Sequence, residues 1–486
     1  YTSVPNIMKV IEPLFLNDLY EEFNSSKYEP KKLNKLLERI SKLKIFDPAC
    51  GSGNFLIIAY KELRLLEIKI LQQLQSLQVA VTGFEDSQFE LIPKSQLTLA
   101  ASYQPTMFTR IELSQFYGIE LDDFAHEIAI LSLWLAQHQM NMKFKEVFGS
   151  ANPTLPLKAG GNIVHGNAAR IEWDKVCPKK AGDEIYILGN PPYSGARLID
   201  EIQKNDMEFV FHNKLEGYND LDYISCWFFK GSEFIRNFNS QCAFVSTNSI
   251  CQGSHVPLIW PIILSNRIEI KFAHLPFKWG NSAKRNAGVT CVIIGLRNVE
   301  TGNKWIISDK FKNSVFNINP YLVSGRNVYV YGRSKVLSNL PEIRFGSMPN
   351  DGGHLILSEA EYFSEEKKDA RIKPYIRLML GGQDFIKGIN RYCIWINEDE
   401  YETSKRLSFI NNRIEKVKTY RLSSNREATQ KLAKFPYRFG EVRHMESELI
   451  IIPATSSERR EYIPMGFLKS GTIVNNSTQA IYNAKP

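Results

Sequence analysis

The chain has no hydrophobic run approaching the ~18 uninterrupted apolar residues of a membrane span, and no basic-then-apolar leader opens it. A membrane role is therefore not expected, and the composition suits a cytoplasmic protein. Seven cysteines, an odd number with no Cys-x-x-Cys pair, argue against a disulfide frame or a zinc site. Cys226, Cys242, Cys251 and Cys291 stand in apolar surroundings and read as small core residues. The eight histidines show no His-x-x-x-His pairing, so no metal is expected. Internal repeats and low-complexity tails are missing too. What is present is ample: 486 residues, 43% hydrophobic, suggest two to four domains at about 100–200 residues each.

Strand-like runs at 43–46, 116–119, 185–189, 242–246, 268–273 and 289–296 alternate with helical ones, which predicts a doubly wound, mostly parallel α/β sheet over residues 1–300. The last two runs flank a loop at 276–288 and suggest a hairpin closing the sheet. Ala80–Arg110 lacks periodicity and reads as an insertion. From 301 to 486 the character becomes short β-type runs with turns and a charged helical stretch near Glu400–Lys434, an α+β domain. Charge divides along the same line. Residues 1–300 hold 31 Lys+Arg against 32 Asp+Glu, a net −1, and residues 301–486 hold 29 against 20, a net +9. A basic excess on one domain is the footprint of a phosphate-binding surface. Lys431–Arg438, which mixes bases with aromatics, is a candidate backbone contact, and Ser456–Tyr462 is a candidate base reader but equally a solvated loop.

Asn190-Pro191-Pro192-Tyr193 follows the apolar strand Ile185–Gly189. In an open α/β sheet ligands bind outside the strand carboxyl ends. The Asn190 amide oxygen and the Pro191 carbonyl are two acceptors, and proline brings no competing N–H and a fixed φ. Such a pair suits an exocyclic amine, and Tyr193 offers a stacking face. Taken alone, the same four residues are equally a proline-stopped strand entering a loop.

A second signal is Phe46-Asp47-Pro48-Ala49-Cys50-Gly51-Ser52-Gly53-Asn54-Phe55-Leu56, a glycine turn between a short strand and a helical pattern. That geometry brings backbone N–H groups and a helix N-terminus to a ligand. A dinucleotide site would want glycine where Leu56 stands and an acid about 20 residues on. The next well-placed acid, Glu120, is 67 residues beyond Gly53.

Joined in order, these motifs resemble the γ-class amino-methyltransferases that modify the N6 of adenine in DNA. With Pro276–Asn281 and Arg344–Gly353 added, the chain resembles the MmeI-like group of type IIL restriction–modification enzymes over essentially its whole length. The resemblance implies the class I S-adenosylmethionine-dependent methyltransferase fold at 1–300 and a DNA target-recognition domain at 301–486. It implies S-adenosylmethionine as cofactor and double-stranded DNA as partner. Asn190, Pro191, Pro192 and Tyr193 would be catalytic. Thr2 in the opening motif, Asp47, Ala49, Cys50, Gly51, Gly53, Asn54, Phe55, Glu120, Leu121, Asn167 and Ala168 would contact the cofactor, with Glu120 on its ribose. At Asn167 the family often has aspartate. Tyr193 and Phe277, with Trp279 in reserve, would stack the flipped base. Two other readings stand beside this one: a protein glutamine-amide methyltransferase, and a DNA-specificity module with a dead catalytic half.

That group carries a nuclease ahead of the methyltransferase, whereas this chain opens at Tyr1 inside the first motif and reads as a fragment of a parent with a linked nuclease. Glu67-Ile68-Lys69 and Glu269-Ile270-Lys271 are expected to be solvated charges rather than a nuclease site.

Overall fold

Ile185–Gly189 is buried along its whole length, a condition a strand tolerates only inside a sheet covered on both faces. In the computed structural model this strand, β4, is the fourth in a sheet of nine among the described residues. The structure describes the chain except residues 1, 86–108, 150–160, 266, 279–289, 334, 338, 458–459 and 486, and it leaves out the side chains of 78–85.

The first of two units runs Tyr1–Gly332. Its helices are α1 (Val4–Ile11), α2 (Asn17–Ser26), α3 (Pro30–Ile40), α4 (Asn54–Glu85), α5 (Asp123–Phe148), α6 (Trp173–Val176), α7 (Glu201–Phe211), α8 (Ser225–Ile235) and α9 (His255–Leu264). Its strands are β1 (Lys44–Asp47), β2 (Phe116–Glu120), β3 (Asn162–His165), β4, β5 (Ser240–Thr247), β6 (Ile268–Lys278), β7 (Thr290–Asn298), β8 (Lys304–Ile307) and β9 (Lys312–Val315). They lie in the order β3-β2-β1-β4-β5-β7-β6-β8-β9. The five from β3 to β5 are parallel, and β7 runs antiparallel between β5 and β6. The chain steps outward from β1 to β3 and returns to β4 on the other side of β1. The switch point therefore lies between β1 and β4, where a crevice opens beyond the strand ends.

Helices cover both faces. Leu33, Leu36, Leu37 and Ile40 form the apolar stripe of α3, which Pro30 starts, and they join α1, α4 and α5 in one core. Phe211, Phe228 and Trp260 from α7, α8 and α9 anchor the other. α5 is capped by Asp122, which accepts from Ala125 N at 2.8 Å, and ends at Gly149 with φ +76°.

The expected hairpin is present as the antiparallel β6–β7 pair. Most of its connecting loop, with Trp279, lies outside the described residues, as does most of the proposed insertion at 80–110. The boundary expected at residue 300 moves to 332, because β8 adds parallel to β6 and β9 pairs with β8. These strands occupy the edge that β6 would otherwise leave unpaired. The two Glu-Ile-Lys segments are also corrected. Glu67 is fully buried, 3.0 Å from Arg64, and Glu269 is buried against Arg297 and Lys304. Lys271, likewise buried, donates to Leu14 O and pairs with Asp18. Glu67, Glu269 and Lys271 form structural ion pairs rather than solvated charges, whereas Lys69 is exposed, as expected.

The second unit, Arg333–Pro486, has two four-stranded sheets. One joins β10 (Arg344–Phe345), β17 (Thr478–Tyr482), β14 (Leu449–Pro453) and β15 (Gly466–Leu468); the other joins β11 (Ile356–Ser358), β13 (Arg391–Ile394), β12 (Ile376–Leu380) and β16 (Ile473–Val474). Among its helices, α10 (Glu359–Lys368) and α11 (Gly382–Lys387) precede α12 (Tyr401–Ser404), α13 (Ser408–Leu422) and α14 (Glu427–Lys431), the last three within the predicted charged helical stretch. This unit holds 25 Lys+Arg against 19 Asp+Glu, a net +6 that keeps most of the basic excess. Buried Arg421 donates to the carbonyls of Pro349, Asn350, Leu432, Phe435 and Arg438. It thereby holds a segment whose Lys431, Lys434, Phe435 and Arg438 are exposed.

Candidate active site

Asp47 ends β1, and its buried Oδ1 accepts from Ala49 N at 3.0 Å. This bond turns the chain out of the strand. Cys50 N then donates to Ile119 O (3.1 Å) and Gly51 N to Glu120 Oε2 (2.7 Å), tying the turn to the end of β2. Gly51 has φ +53° with open space where a Cβ would sit, whereas Gly53, at φ +82°, packs against Ala129 of α5. Glu120 Oε1 accepts from Asp122 N at 2.9 Å, and Trp227 Nε1 supports the turn through Pro48 O at 3.2 Å. The Phe55 side chain points into the first core, so it can offer a ligand only its backbone. Asn54 is half-buried beside it, Leu121 is exposed, and Thr2 is half-exposed just ahead of α1, which packs on α4, β5 and β7.

Burial pushes the Asp47 carboxyl up to about 8, the Ala49 N–H opposing and the Glu120 charge adding to the rise. An unfolded aspartate titrates near ~3.9. The folded state thus holds its proton more tightly, and the stabilisation is complete below about pH 4 and lost as pH rises through about 8. The melting temperature of the ligand-free protein is expected to fall from pH 5 to pH 9, and Asp47→Asn to flatten that fall. An Asn variant with the wild-type pH profile would contradict this origin.

β4 delivers the second motif to the neighbouring strand end. A Cβ on Gly189 would lie 2.5 Å from Asp47 Oδ1, so glycine here lets the two strand ends approach. Asn190 follows directly. Its Oδ1 and Asp47 Oδ2 are both buried without a hydrogen-bond partner among the described residues. Each such orphan costs roughly 1–3 kcal/mol, and a ligand with N–H or O–H groups removes that cost. Pro191 is buried, Pro192 exposed and Tyr193 half-buried. The Tyr193 hydroxyl lies 4.0 Å from Cys291 Sγ, and Cys291 is the cross-strand partner of Phe277. One cysteine therefore separates the two aromatic residues named for stacking. One face of Phe277 carries the Lys9 ammonium at 4.5 Å, itself paired with Asp309. Burial raises the Tyr193 phenol, with Cys291 adding and Asn190 opposing, so it stays protonated.

Beyond β3, Gly166 N donates to Glu120 O at 2.7 Å and brings Asn167-Ala168 beside the ribose candidate. The Asn167 side chain is committed within the protein: its amide donates to Asp206 Oδ2 (2.8 Å) and its oxygen accepts from Ala169 N (2.9 Å). Half-buried Lys230 donates to the carbonyls of Ala168, Ala169 and Ile171 at 2.7–2.9 Å, and desolvation lowers its pKa to about 8. Asp206, Asp222, Tyr223 and Lys230 were missed from sequence. Their one local signal is an acid or base inside an apolar run, as in Leu221-Asp222-Tyr223-Ile224. Seen in three dimensions, the Asp47 turn, Glu120, the Asn167 loop and Asn190–Tyr193 all stand at the carboxyl ends of adjacent parallel strands. Elsewhere, Asp123, His126 and Glu127 place three potential ligand atoms within 4.8 Å of one another at the start of α5, largely exposed.

Comparison with known proteins matches residues 23–308 to the family described as MmeI, DNA-methyltransferase domain, and residues 324–486 to MmeI, target recognition domain. The chain is 44% identical over 487 aligned residues to DNA methyltransferase A of Bacillus subtilis (strain 168), covering all of this chain and 53% of that protein. A putative type II restriction enzyme and methyltransferase of Methanocaldococcus jannaschii is 36% identical over 104 residues, 21% of this chain and 7% of that protein. The solved structure of the type IIL restriction–modification enzyme MmeI in complex with DNA superposes with a TM-score of 0.87 at 37% identity, over all of this chain and 63% of that one. The chain thus spans about half the length of the curated relative it matches end to end. Its first unit has the class I methyltransferase fold, and an α+β recognition domain follows. No helix among the described residues is long and apolar enough to cross a membrane.

Proposed function

The chain belongs to the MmeI family, with both its DNA-methyltransferase and its target recognition domain, and from that premise we propose that it methylates the N6 amine of adenine in duplex DNA, using S-adenosylmethionine, as part of a restriction–modification enzyme. The observation carrying this reading is the orphaned, buried amide oxygen of Asn190 at the switch point, beside the orphaned Asp47 carboxylate oxygen.

The residues present fit the cofactor. Its ammonium and ribose hydroxyls are donors; Glu120 is an acceptor, and Asp47, one strand away, becomes one once the cationic ammonium draws off the proton that burial holds there. Gly51 leaves its cradle open. S-adenosylmethionine bound there supplies an electrophilic methyl group. At the other end, Asn190 Oδ1 and the Pro191 carbonyl accept the two N–H groups of the target amine. They draw these hydrogens out of the base plane and localise a lone pair otherwise delocalised into the ring. Positioning of that kind supplies the acceleration, and no histidine base is needed. A paired adenine is out of reach, so the base must leave the stack at a cost of a few kcal/mol. Stacking on Tyr193, with Phe277 opposite, offsets about 1–3 kcal/mol of it. The basic second unit supplies the phosphate contacts.

The test is transfer of labelled methyl from S-adenosylmethionine to unmethylated duplex DNA and, separately, to a bacterial protein extract. Label in DNA is expected. Label in protein alone would favour the glutamine-amide reading, and DNA binding without label the inactive specificity module.

A further inference from the structure

Two loops must keep their relative position if an amine and a methyl donor are to meet. The clamp loop continues past Tyr193 through Ser194, Gly195 and Ala196, and the loop after β3 carries Asn167 to Ile171. They are far apart in sequence, and among the described residues no hydrogen bond joins them directly. The clamp loop is instead bonded to the segment between α7 and α8, and the loop after β3 to Asp206 of α7, which Tyr223 of that segment holds.

Asp222 Oδ1 accepts from Ala196 N at 3.0 Å, and Tyr223 N donates to Ser194 O at 2.9 Å. These fix the clamp loop. Asp222 Oδ2 accepts from the Ser249 hydroxyl, which lies 2.7 Å from Thr247 Oγ1 at the end of β5, and Oδ1 lies 3.3 Å from His255 Nε2. Burial works against the Asp222 charge, yet His255 and Ser249 outweigh it and hold the carboxyl below its ordinary range. On the other side, the Tyr223 hydroxyl donates to Asp206 Oδ2 at 2.7 Å. Asp206, 1% exposed, also takes Asn167 Nδ2 and Arg170 Nε. The Asp222 side chain thus holds the clamp loop, and the Tyr223 side chain, through Asp206, the loop after β3.

We propose that Asp222-Tyr223 is a positioning element of the active site, Asp222 holding the amine clamp and Tyr223, through Asp206, holding the cofactor-side loop. The proposal rests on the methyltransferase reading above. Neither residue touches substrate; each acts through the backbone or side chain it holds.

The split between kcat and KM tests it. Asp222→Ala frees Ala196 N and loosens the clamp, so kcat at saturating S-adenosylmethionine is expected to fall about 100-fold, the loss that a ~1 Å misplacement brings. The cofactor KM should stay within about twofold, because binding through Asp47 and Glu120 is untouched. Asp222→Asn keeps an acceptor for Ala196 N and should restore part of the rate. Tyr223→Phe keeps the buried ring and removes only the bond to a charged partner, so the cofactor KM is expected to rise about tenfold with kcat little changed. A wild-type protein that transfers no methyl to DNA would defeat the functional reading itself. With an active wild type, wild-type kinetics in both folded variants, or one shared signature in the two, would overturn the proposal. Should Asp222→Ala fail to fold, the Asp222→Asn and Tyr223→Phe pair still carries the comparison.

Discussion

Asn190→Ala is expected to lower methyl transfer by at least about 100- to 1,000-fold, the range seen when one preorganised hydrogen-bonding group is removed from a transition state. The effect should fall on kcat. The buried Asn190 Oδ1 has no hydrogen-bond partner among the described residues, so losing it breaks no bond of the fold, while losing the amide nitrogen removes the hydrogen bond to Tyr193. The alanine variant should therefore melt close to the wild type, the loss of an unsatisfied polar atom offsetting the lost bond. Cofactor affinity should stay within a few-fold, since Asp47 and Gly51 belong to β1 and the turn after it, and Glu120 to β2. Single-turnover rates, cofactor binding by calorimetry and thermal melting check all three. A variant that keeps most of its rate would refute the clamp.

Glu120→Ala should act at the opposite end of the site. Its carboxylate accepts Gly51 N at 2.7 Å and Asp122 N at 2.9 Å and retains lone pairs for a ligand. Hydrogen bonds to a charged group contribute about 1.5–3 kcal/mol each. Losing a pair of ribose contacts should therefore weaken S-adenosylmethionine binding by at least roughly 100-fold, with most of kcat recovered at saturating cofactor. Glu120→Gln keeps an acceptor for Gly51 N and should be intermediate. If both variants bind cofactor as the wild type does, Glu120 is only a prop for the glycine turn.

Motifs whose meaning is local were legible in the sequence. Asp47–Leu56 is a strand, a turn and a helix start in eleven consecutive residues with Phe46, and Asn190–Tyr193 is a strand end with its own stiff acceptors. The six strand-like runs all became strands, because apolar runs bounded by turns mark a two-sided sheet. β3 was not among them: four residues with one fully buried carry little signal. β8 and β9 were assigned to the second domain, since nothing in Lys304–Val315 announces that the edge of β6 is its partner. The two Glu-Ile-Lys segments were misjudged for a related reason. A charge on an amphipathic pattern reads as solvated until its partner is seen beside it in the core: Arg64 one turn away on the same helix, or Arg297 and Lys304 on other strands. Asp206, Asp222, Tyr223 and Lys230 are the same problem inside the site. Their partners are backbone groups and side chains of segments remote in the chain, and no spacing encodes that.

The adenine assignment rests on a pair of acceptors, and the product identifies it. Unmethylated duplex DNA incubated with the protein and labelled S-adenosylmethionine can be digested to nucleosides and resolved by mass spectrometry. All of the label is expected in N6-methyldeoxyadenosine, formed at least about 100-fold more slowly in the Asn190→Ala reaction. Label in a methylated cytosine, or equal label from the Asn190→Ala protein, would contradict the assignment of Asn190–Tyr193 as the clamp on an adenine amine.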